Sequence, residues 1–274
     1  MSDSILWWDA MTYANRVIWI TGASSGIGEA LALAFARERA HLVLSARSRA
    51  SLERVRDTCL TRTDWCEIVP IDLEKVDEIP RIADRTLEKT GGIDLLVNCA
   101  GVSQRSLALE TDLAVDRRIM EVNFFGTVAL TKAVLPSMIE SGSGRIAVIS
   151  SIAGLFGFPL RSAYSASKHA LQGFFETLSI ELHGSGVGVS IVSPGRIKTD
   201  ISLHALSGDG RQYGERSPGQ ARGLPVDRCA RKILKGLKRN RRTVHVGGSE
   251  LIMLWFHKWV PSLFFYIARK VKPQ

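Results

Sequence analysis

The stretch VIWITGASSGIGEALALAFARE, residues 17–38, places a short apolar run directly before a glycine-rich turn and then a helical pattern. Gly22, Gly26 and Gly28 lie in or next to this turn. Glycine permits a tight turn and lets backbone N–H groups approach a pyrophosphate at the positive end of the following helix. Between a strand and a helix, this spacing predicts a dinucleotide-binding βαβ unit.

Short apolar runs alternate with longer helical patterns along most of the chain, which indicates a parallel sheet covered on both faces. Right-handed crossovers between such units give a single α/β, doubly wound Rossmann-type domain. We expect a seven-stranded, mainly parallel sheet in the order 3-2-1-4-5-6-7. Strands are predicted at 16–21, 41–46, 66–71, 93–98, 145–150, 187–193 and 243–247, and helices at 26–39, 49–61, 75–90, 112–140, 163–183 and 226–239.

Residues 1–248 are therefore predicted to form one catalytic domain. Within it, residues 199–225 are rich in Gly, Ser and Arg, which favours a flap over the substrate. Residues 249–274 follow the last predicted strand as an apolar and basic extension.

The composition is that of an ordinary globular protein, with 274 residues, 45% apolar and 23% charged. The cysteines form no CxxC pair and the histidines no metal-ligand spacing, so we expect reduced thiols and no metal site. The N-terminus lacks a signal-peptide pattern, and no run of 18 uninterrupted apolar residues occurs. These features predict a cytoplasmic protein whose thiols are Cys59, Cys66, Cys99 and Cys229.

The end of the second predicted strand bears on the choice of nicotinamide cofactor. An acid there binds a ribose 2′-OH, whereas an arginine accommodates a 2′-phosphate. The chain has Arg47 and Arg49 at this place and no acid before Glu53. We therefore expect NADP(H), although solvated charges at a helix start would give the same pattern.

Tyr164 and Lys168 are spaced four residues apart in a predicted helix, which puts both side chains on one face. A cation one turn away favours the ionised phenol, so this pair predicts a proton donor and acceptor near neutral pH. A surface Tyr and a surface Lys would show the same spacing, and other motifs must decide between the two interpretations.

The motifs NCAG at 98–101, VNFFG around Asn123, ISSIAG around Ser151 and YSASK at 164–168 occur in this order. With the glycine-rich turn, they make residues 15–247 similar to the short-chain dehydrogenases/reductases. The resemblance implies that Tyr164 protonates a carbonyl oxygen while the nicotinamide supplies a hydride. It also implies that Ser151 bonds the substrate oxygen, that Lys168 holds the nicotinamide ribose, and that Asn123 anchors a water.

The same resemblance assigns the cofactor contacts. The implied cofactor-binding residues are Gly22, Ser24, Ser25, Gly26, Ile27, Gly28, Arg47, Arg49, Asp72, Leu73, Asn98, Ala100, Gly101, Tyr164, Lys168, Pro194, Gly195, Ile197 and Thr199. Cys99 departs from the family, which usually has a second asparagine there that stabilises the centre of the sheet. This departure bears on local hydrogen bonding rather than on catalysis.

Several segments, among them residues 128–139 and 161–170, resemble the dehydrogenase/reductase member 7B subgroup of membrane-associated reductases. The resemblance implies an NADP(H)-dependent oxidoreductase acting on a ketone or secondary alcohol of hydrophobic or lipid-like character, and a homo-oligomer, either dimer or tetramer. The alternative is a catalytically idle NADP(H)-sensing regulatory protein that acts through its basic C-terminal region. Such a protein would not need the four catalytic residues.

The net charge of +9 is concentrated at the C-terminus, since residues 228–274 hold twelve of the 36 Lys and Arg residues and one acid. Aromatic residues beside clustered cations suit peripheral contact of 228–274 with an anionic membrane. Alternatively, Leu251, Leu254, Trp255, Trp259 and Phe264 cap the substrate pocket or pack between subunits. No reading helix or stacking motif accompanies the cations, so we expect no nucleic acid.

Overall fold

The computed structural model describes residues 12–216 and 221–270. The N-terminal stretch judged for a signal peptide, part of the predicted flap and the last four residues therefore lie outside the described residues. In the described part of the chain the strands are β1 (Val17–Thr21), β2 (His41–Ser45), β3 (Cys66–Ile68), β4 (Leu95–Asn98), β5 (Gly144–Ile149), β6 (Val187–Pro194), β7 (Ile197–Lys198), β8 (Leu224–Pro225) and β9 (Thr243–Val246).

The α-helices follow the predicted positions closely. They are α1 (Gly26–Arg37), α2 (Arg49–Leu60), α3 (Ile79–Thr90), α4 (Leu113–Met120), α5 (Gly126–Glu140), α6 (Ser162–Glu181), α7 (Val226–Lys238), α8 (Ile252–Trp259) and α9 (Pro261–Lys270). Short 3₁₀ turns occur at Val76–Glu78, Ala108–Glu110, Ile152–Gly154 and Ser249–Leu251. The C-terminal extension thus forms two helices, α8 and α9, which contact each other as a hairpin.

The main sheet has the order β3-β2-β1-β4-β5-β6-β9, and each adjacent pair of its strands is parallel. This confirms the predicted single doubly wound α/β fold with its seven-stranded sheet. The short strands β7 and β8 pair with each other in a separate two-stranded ribbon.

Two apolar layers cover the two faces of the sheet because successive side chains of a strand point to opposite sides. On β1, Ile18 and Ile20 join the layer under α1, α2 and α7, whereas Trp19 joins the layer under α3, α5 and α6. The Trp19 indole is fully buried and donates a hydrogen bond to the Ser45 hydroxyl at 2.8 Å. Burial on both faces explains why the strands are nearly continuous apolar runs.

The third strand is shorter than predicted. The regular strand ends at Ile68. The chain continues along β2 as irregular backbone, since the amides of Val69 and Ile71 donate to the carbonyls of Leu44 and Ala46 at 2.9 and 3.1 Å.

The predicted helix at 112–140 is interrupted by a π-helical turn, Glu121–Phe125, between α4 and α5. The stretch Leu113–Glu140 is long and apolar enough to cross a membrane by composition, but half of its most apolar part is buried inside the protein. Its α5 section packs against α3 and against the sheet, as a core helix of a globular domain does.

Candidate functional site

The residues singled out from the sequence gather where β1, β4, β5 and β6 end. These strands are parallel, so their carboxyl ends lie along one edge of the sheet. The chain order reverses between β1 and β4, which is the position where doubly wound sheets form a ligand crevice.

The glycine-rich turn is packed against backbone, which leaves no room for side chains. Gly22 has φ +65°, and a Cβ built on it would lie 2.7 Å from the Cα of Ala100. A Cβ on Gly28 would lie 2.1 Å from the Gly22 carbonyl oxygen. Glycine is therefore required at both positions, and the turn is held against the end of β4.

The N-terminus of α1 faces this turn. Ser25 precedes the helix in extended conformation, and its side chain makes no capping hydrogen bond in the described structure. The first amides of a helix carry a partial positive charge and lack intrahelical partners. The cradle of Gly22, Ser24, Gly26 and Ile27 around these amides therefore fits a dinucleotide diphosphate.

Arg54 of α2 stabilises the glycine-rich turn by hydrogen bonds to the turn and to α1. The sequence analysis did not predict this role. The Arg54 guanidinium donates a hydrogen bond to the Ser24 carbonyl at 3.2 Å and two to the Glu29 carboxylate at 2.7 and 3.0 Å. The three groups belong to separate segments, so only the packing of α2 against α1 reveals them.

The two arginines assigned to cofactor selection lie after β2, both exposed. Arg49 starts α2 and forms an ion pair with Glu53 at 3.5 Å. No ion pair within the described residues involves Arg47. Arg47 is thus the cation at the end of β2 whose charge stays uncompensated.

Asp72 and Leu73 follow β3, and Asn98 ends β4. The Asp72 carboxylate accepts a hydrogen bond from the Glu74 amide at 3.1 Å, and Leu73 is buried against the start of α5. The Asn98 amide donates to the Thr131 hydroxyl at 2.9 Å.

Cys99, the departure from the family pattern, does not disrupt hydrogen bonding of the backbone. The amides of Cys99 and Ala100 both donate to the Thr21 hydroxyl, at 3.0 and 3.2 Å. Burial raises the pKa of the Cys99 thiol to about 12, so it is a neutral side chain at physiological pH.

Asn123 lies in the π-helical turn and is fully buried. Its amide group donates to the Val102 carbonyl and to the Ser167 hydroxyl, both at 2.9 Å, and accepts from the Val102 amide at 2.8 Å. These bonds attach the turn to the loop after β4 and to α6. π-helical turns are frequent at functional sites.

Gly101 is the point at which this network meets Lys168. A Cβ built on Gly101 would lie 3.1 Å from Asn123 Oδ1 and 3.4 Å from Lys168 Nζ. The Lys168 ammonium is buried and donates to the Ile149 carbonyl at 2.9 Å. Burial lowers the pKa of Lys168 to about 8.

Ser151 follows β5 and caps the short 3₁₀ turn after it. Its hydroxyl accepts from the Ala153 amide at 3.1 Å and donates to the Pro194 carbonyl at the long distance of 3.5 Å. This hydroxyl also hydrogen-bonds Tyr164 and lowers the pKa of that phenol. The spacing of thirteen residues therefore brings the two hydroxyls together.

The pKa of Tyr164 is set by opposing effects. Burial is the largest and raises it, while the Arg161 cation and the hydrogen bond with Ser151 lower it. Arg161 and Lys168 flank the ring at 5.9 and 5.8 Å from its centre. The sequence analysis expected Lys168 to lower this pKa, but burial leaves the pKa of Tyr164 above its ordinary value, and the cation that lowers it is Arg161.

The segment after β6 closes the other side of the crevice. Pro194 ends β6, Ile197 is buried in β7, and the Gly195 amide donates to the Val246 carbonyl at 2.7 Å. A Cβ on Gly26 would lie 3.4 Å from Thr199 Cγ2, so this segment reaches the glycine-rich turn. Glu250, which the sequence analysis did not single out, accepts from the Arg196 amide at 2.8 Å and supports the segment.

Comparison with known proteins agrees with this geometry. The profile of the family described as short chain dehydrogenase matches residues 16–208. A Drosophila melanogaster dehydrogenase/reductase SDR family protein 7-like is 41% identical, over 93% of this chain and 80% of the relative. Human dehydrogenase/reductase SDR family member 7 is 38% identical, over 94% and 78%. Member 7B from Xenopus tropicalis is 38% identical, over 95% and 87%.

Solved structures are similar over nearly the whole chain. A short chain dehydrogenase/reductase from Burkholderia phymatum in complex with NAD has a TM-score of 0.81 and 25% identity, over 93% of this chain and 96% of its own. An alcohol dehydrogenase from Thermococcus sibiricus complexed with 5-hydroxy-NADP has a TM-score of 0.73 and 27% identity, over 85% and 97%.

Replacing Arg161 with Gln should raise the pKa of Tyr164, because it removes the cation that opposes the effect of burial. The measurement is an ultraviolet titration of tyrosinate in which the Tyr164 component is the difference from a Tyr164→Phe variant. The matched control, Arg62→Gln, removes an exposed arginine at the end of α2. A Tyr164 titration that Arg161→Gln leaves at its wild-type midpoint contradicts the assigned role.

Proposed function

Because the chain belongs to the short-chain dehydrogenase family, it is an oxidoreductase with an NAD(P)-binding fold, and we propose that it is an NADP(H)-dependent carbonyl reductase. The proposed reaction transfers a hydride between the nicotinamide and a ketone or secondary alcohol of hydrophobic character. The observation that carries this proposal is the buried group of Tyr164, Ser151 and Lys168 beside the glycine cradle.

In the reducing direction, Tyr164 Oη gives its proton to the carbonyl oxygen of the substrate. NADPH held at the glycine-rich turn would supply the hydride for the carbonyl carbon, so that this hydride and the Tyr164 proton together give the alcohol. The Ser151 hydroxyl can hydrogen-bond the same oxygen, because it lies beside the Tyr164 hydroxyl and its bond to the Pro194 carbonyl is long, at 3.5 Å. Such a donor stabilises negative charge that develops on the oxygen.

The phenolate left on Tyr164 lies between two cations. Arg161 lowers the pKa of this phenol, and the Lys168 ammonium lies 5.8 Å from the ring centre. With a pKa of about 8, Lys168 can exchange protons near neutral pH. The proposed path for reprotonation runs from Lys168 towards the water that the family resemblance places at Asn123.

The raised pKa of Tyr164 supports the reductive direction at neutral pH. A phenol whose pKa lies above its ordinary value is protonated there and can donate its proton. Alcohol oxidation needs the phenolate instead, so its rate should rise with pH.

Arg47 supports the choice of NADP(H). Its guanidinium is exposed at the end of β2, where it has no ionic partner among the described residues, and the nearest arginine, Arg49, is engaged with Glu53. An arginine in this place accommodates a ribose 2′-phosphate. The similar solved structures include one with NAD and one with 5-hydroxy-NADP, so the family fold accepts either type.

An apolar wall beside Ser151 supports a hydrophobic or lipid-like substrate. Ile152 and Phe156, one and five residues after Ser151, are buried against Phe264 of α9. The Phe156 and Phe264 rings meet edge to face with their centres 5.0 Å apart. We propose that the C-terminal hairpin contributes to this wall, which corresponds to one of the alternatives of the sequence analysis.

The outer face of the hairpin supports the other alternative, contact with a membrane. Trp255 and Trp259 are 54% and 65% exposed, and further exposed apolar side chains are Ile252, Leu263, Phe265 and Tyr266. Lys258 lies over the Trp259 ring at 5.3 Å, and no acid occurs after Glu250. Exposed aromatic residues with interspersed cations suit the headgroup region of an anionic bilayer.

Two of the cations of α7 are held in ion pairs. Arg231 pairs with Asp227 at 2.9 Å, and Lys238 pairs with Glu38 of the chain body at 2.7 Å. The exposed aromatic residues belong to α8 and α9, so we place the proposed membrane contact on these two helices rather than on all of residues 228–274.

Other partner and location predictions stay predictions. A homo-oligomer would be able to bury an open groove of about 650 Å³ that is lined by Leu113, Met120 and Phe125. The expectation that nucleic acid is not a partner, and the cytoplasmic location, rest on the sequence analysis.

Replacing Tyr164 with Phe should lower kcat for carbonyl-dependent NADPH oxidation by about 100-fold to 10,000-fold, because the general acid is lost. A panel of lipid ketones, followed by NADPH absorbance, provides the assay. Tyr13→Phe is the matched control, since Tyr13 is a buried tyrosine in the layer under α1. Unchanged turnover in Tyr164→Phe contradicts the mechanism, whereas NADPH binding without turnover in the wild type favours the regulatory alternative.

Replacing Arg47 with Asp should weaken NADPH binding by about 10-fold or more, which is the effect of losing a charged hydrogen bond to phosphate. NADH binding should change less, because NADH has no 2′-phosphate. Fluorescence titration with both dinucleotides measures the difference, with Arg62→Gln as the control. An equal loss for NADPH and NADH contradicts the NADP(H) assignment.

Replacing both Trp255 and Trp259 with Ser should abolish flotation of the protein with vesicles that contain anionic phosphatidylserine. The wild type should float with these vesicles and less with neutral phosphatidylcholine vesicles, since the hairpin is basic. Leu109→Ser is the matched control because it removes an apolar side chain that is 99% exposed elsewhere. Equal flotation of the wild type and the double variant removes the membrane proposal.

A further inference from the structure

Gln104, in the loop after β4, is fully buried and has hydrogen-bond partners on both sides of its amide group. Its Oε1 accepts from the amides of Ala163 and Tyr164 at 2.8 and 3.4 Å. Its Nε2 donates to the hydroxyls of Thr111 at 2.9 Å and of Ser162 at 3.2 Å. The two amide donors require oxygen on that side, so the orientation of the group is determined.

These contacts replace an ordinary helix cap at the start of α6. The residue before the helix, Arg161, makes no side-chain capping bond in the described structure. A capping side chain normally accepts from the second or third amide of its helix. In α6 those amides belong to Ala163 and Tyr164. Both donate hydrogen bonds to Gln104, which lies in a loop about 60 residues earlier in the chain.

The backbone around Gln104 is also paired with the segment predicted as the substrate flap. The Ser103 carbonyl accepts from the Leu206 amide, and the Arg105 amide donates to the Leu206 carbonyl, both at 2.8 Å. Leu206 is buried in one apolar cluster with Ala163. Gln104 thus connects the flap to the first turn of the helix that carries Tyr164.

We infer that Gln104 is a positioning residue, which fixes the first turn of α6 and thereby holds Tyr164 in place for proton transfer. The inference rests on the proposed function, because the role of Tyr164 as proton donor is itself proposed. A buried polar side chain that only stabilises the fold would affect unfolding, but not the catalytic step.

Two substitutions separate these roles. Gln104→Met keeps the approximate length of the side chain and removes both hydrogen-bonding groups. Gln104→Glu keeps the accepting oxygen, and the Ser162 hydroxyl, which lies 3.5 Å from Oε1 of Gln104, can donate to the new carboxylate. Thr63→Val is the matched control for lost stability, since it removes the buried hydrogen bond from Thr63 to the Ala40 carbonyl, at 2.6 Å.

Gln104→Met should lower kcat by about 10-fold to 100-fold, the effect of a small misplacement of a catalytic group, while NADPH affinity stays at the wild-type value. Gln104→Glu should restore most of kcat and move the pH profile of alcohol oxidation to higher pH, since a carboxylate one turn away disfavours the phenolate. The other charged or titratable groups around Tyr164 are Arg161, Lys168 and Cys99, and they are unchanged in these variants. Thr63→Val should keep the wild-type kcat and pH profile.

Wild-type kcat in Gln104→Met, or the same loss in Thr63→Val, overturns the inference. If Gln104→Met does not fold, an unshifted pH profile in Gln104→Glu overturns it instead. Hydrogen exchange of the amides at 162–168 tests the cap without a substrate, and unchanged exchange in Gln104→Met also overturns it. Unchanged turnover in Tyr164→Phe would instead identify a failure of the proposed function.

Discussion

The hydrogen bond from the Lys168 ammonium to the Ile149 carbonyl determines how α6 lies against the sheet. A buried cation is costly unless it is hydrogen-bonded or paired, so the helix must place Nζ at the end of β5. Tyr164, one turn earlier, is then carried to the Ser151 hydroxyl beyond the same strand. The backbone of Gly101 approaches Nζ so closely that a Cβ there would lie 3.4 Å from it. The proposed chemistry therefore depends on the fit between one helix and one strand end.

The dinucleotide cradle and the catalytic helix share the end of β4 as a common support. Ala100 lies against Gly22 on one side, and the next residue, Gly101, lies against Lys168 and Asn123 on the other. The Thr21 hydroxyl fastens β4 to β1 by accepting from the Cys99 and Ala100 amides. A change in the backbone here would displace the cradle and the proton donor together. This explains why a thiol at Cys99 is compatible with the site, since the backbone makes these bonds.

The C-terminal hairpin is compatible with both interpretations that the sequence analysis treated as alternatives. Its inner face buries Phe264 against Phe156 beside Ser151, while its outer face exposes Trp255 and Trp259. A helix with apolar residues on opposite sides can pack against the protein with one side and present the other apolar side to a membrane. The proposed contribution to the apolar wall and the proposed membrane face thus belong to the same two helices.

Local pattern was sufficient for the fold and for the main motifs. Strand periodicity, the glycine spacing and the four-residue interval between Tyr164 and Lys168 are short-range properties, and the observed strand order agrees with the prediction. Deviations occurred where the local backbone departs from the average pattern, as after Ile68, where the regular part of β3 ends early, and at the π-helical turn around Asn123.

The sequence by itself determined the doubly wound sheet and the glycine-rich turn, because each strand, helix and turn follows from a short local pattern, and it supplied the proposed reacting groups. Only the tertiary structure decided which side chains support those groups. Arg54, Gln104 and Glu250 bond to atoms of segments from about 25 to 60 residues away in the chain. Their roles depend on which distant segments come into contact after folding. The local periodicity of a single sequence does not indicate such contacts.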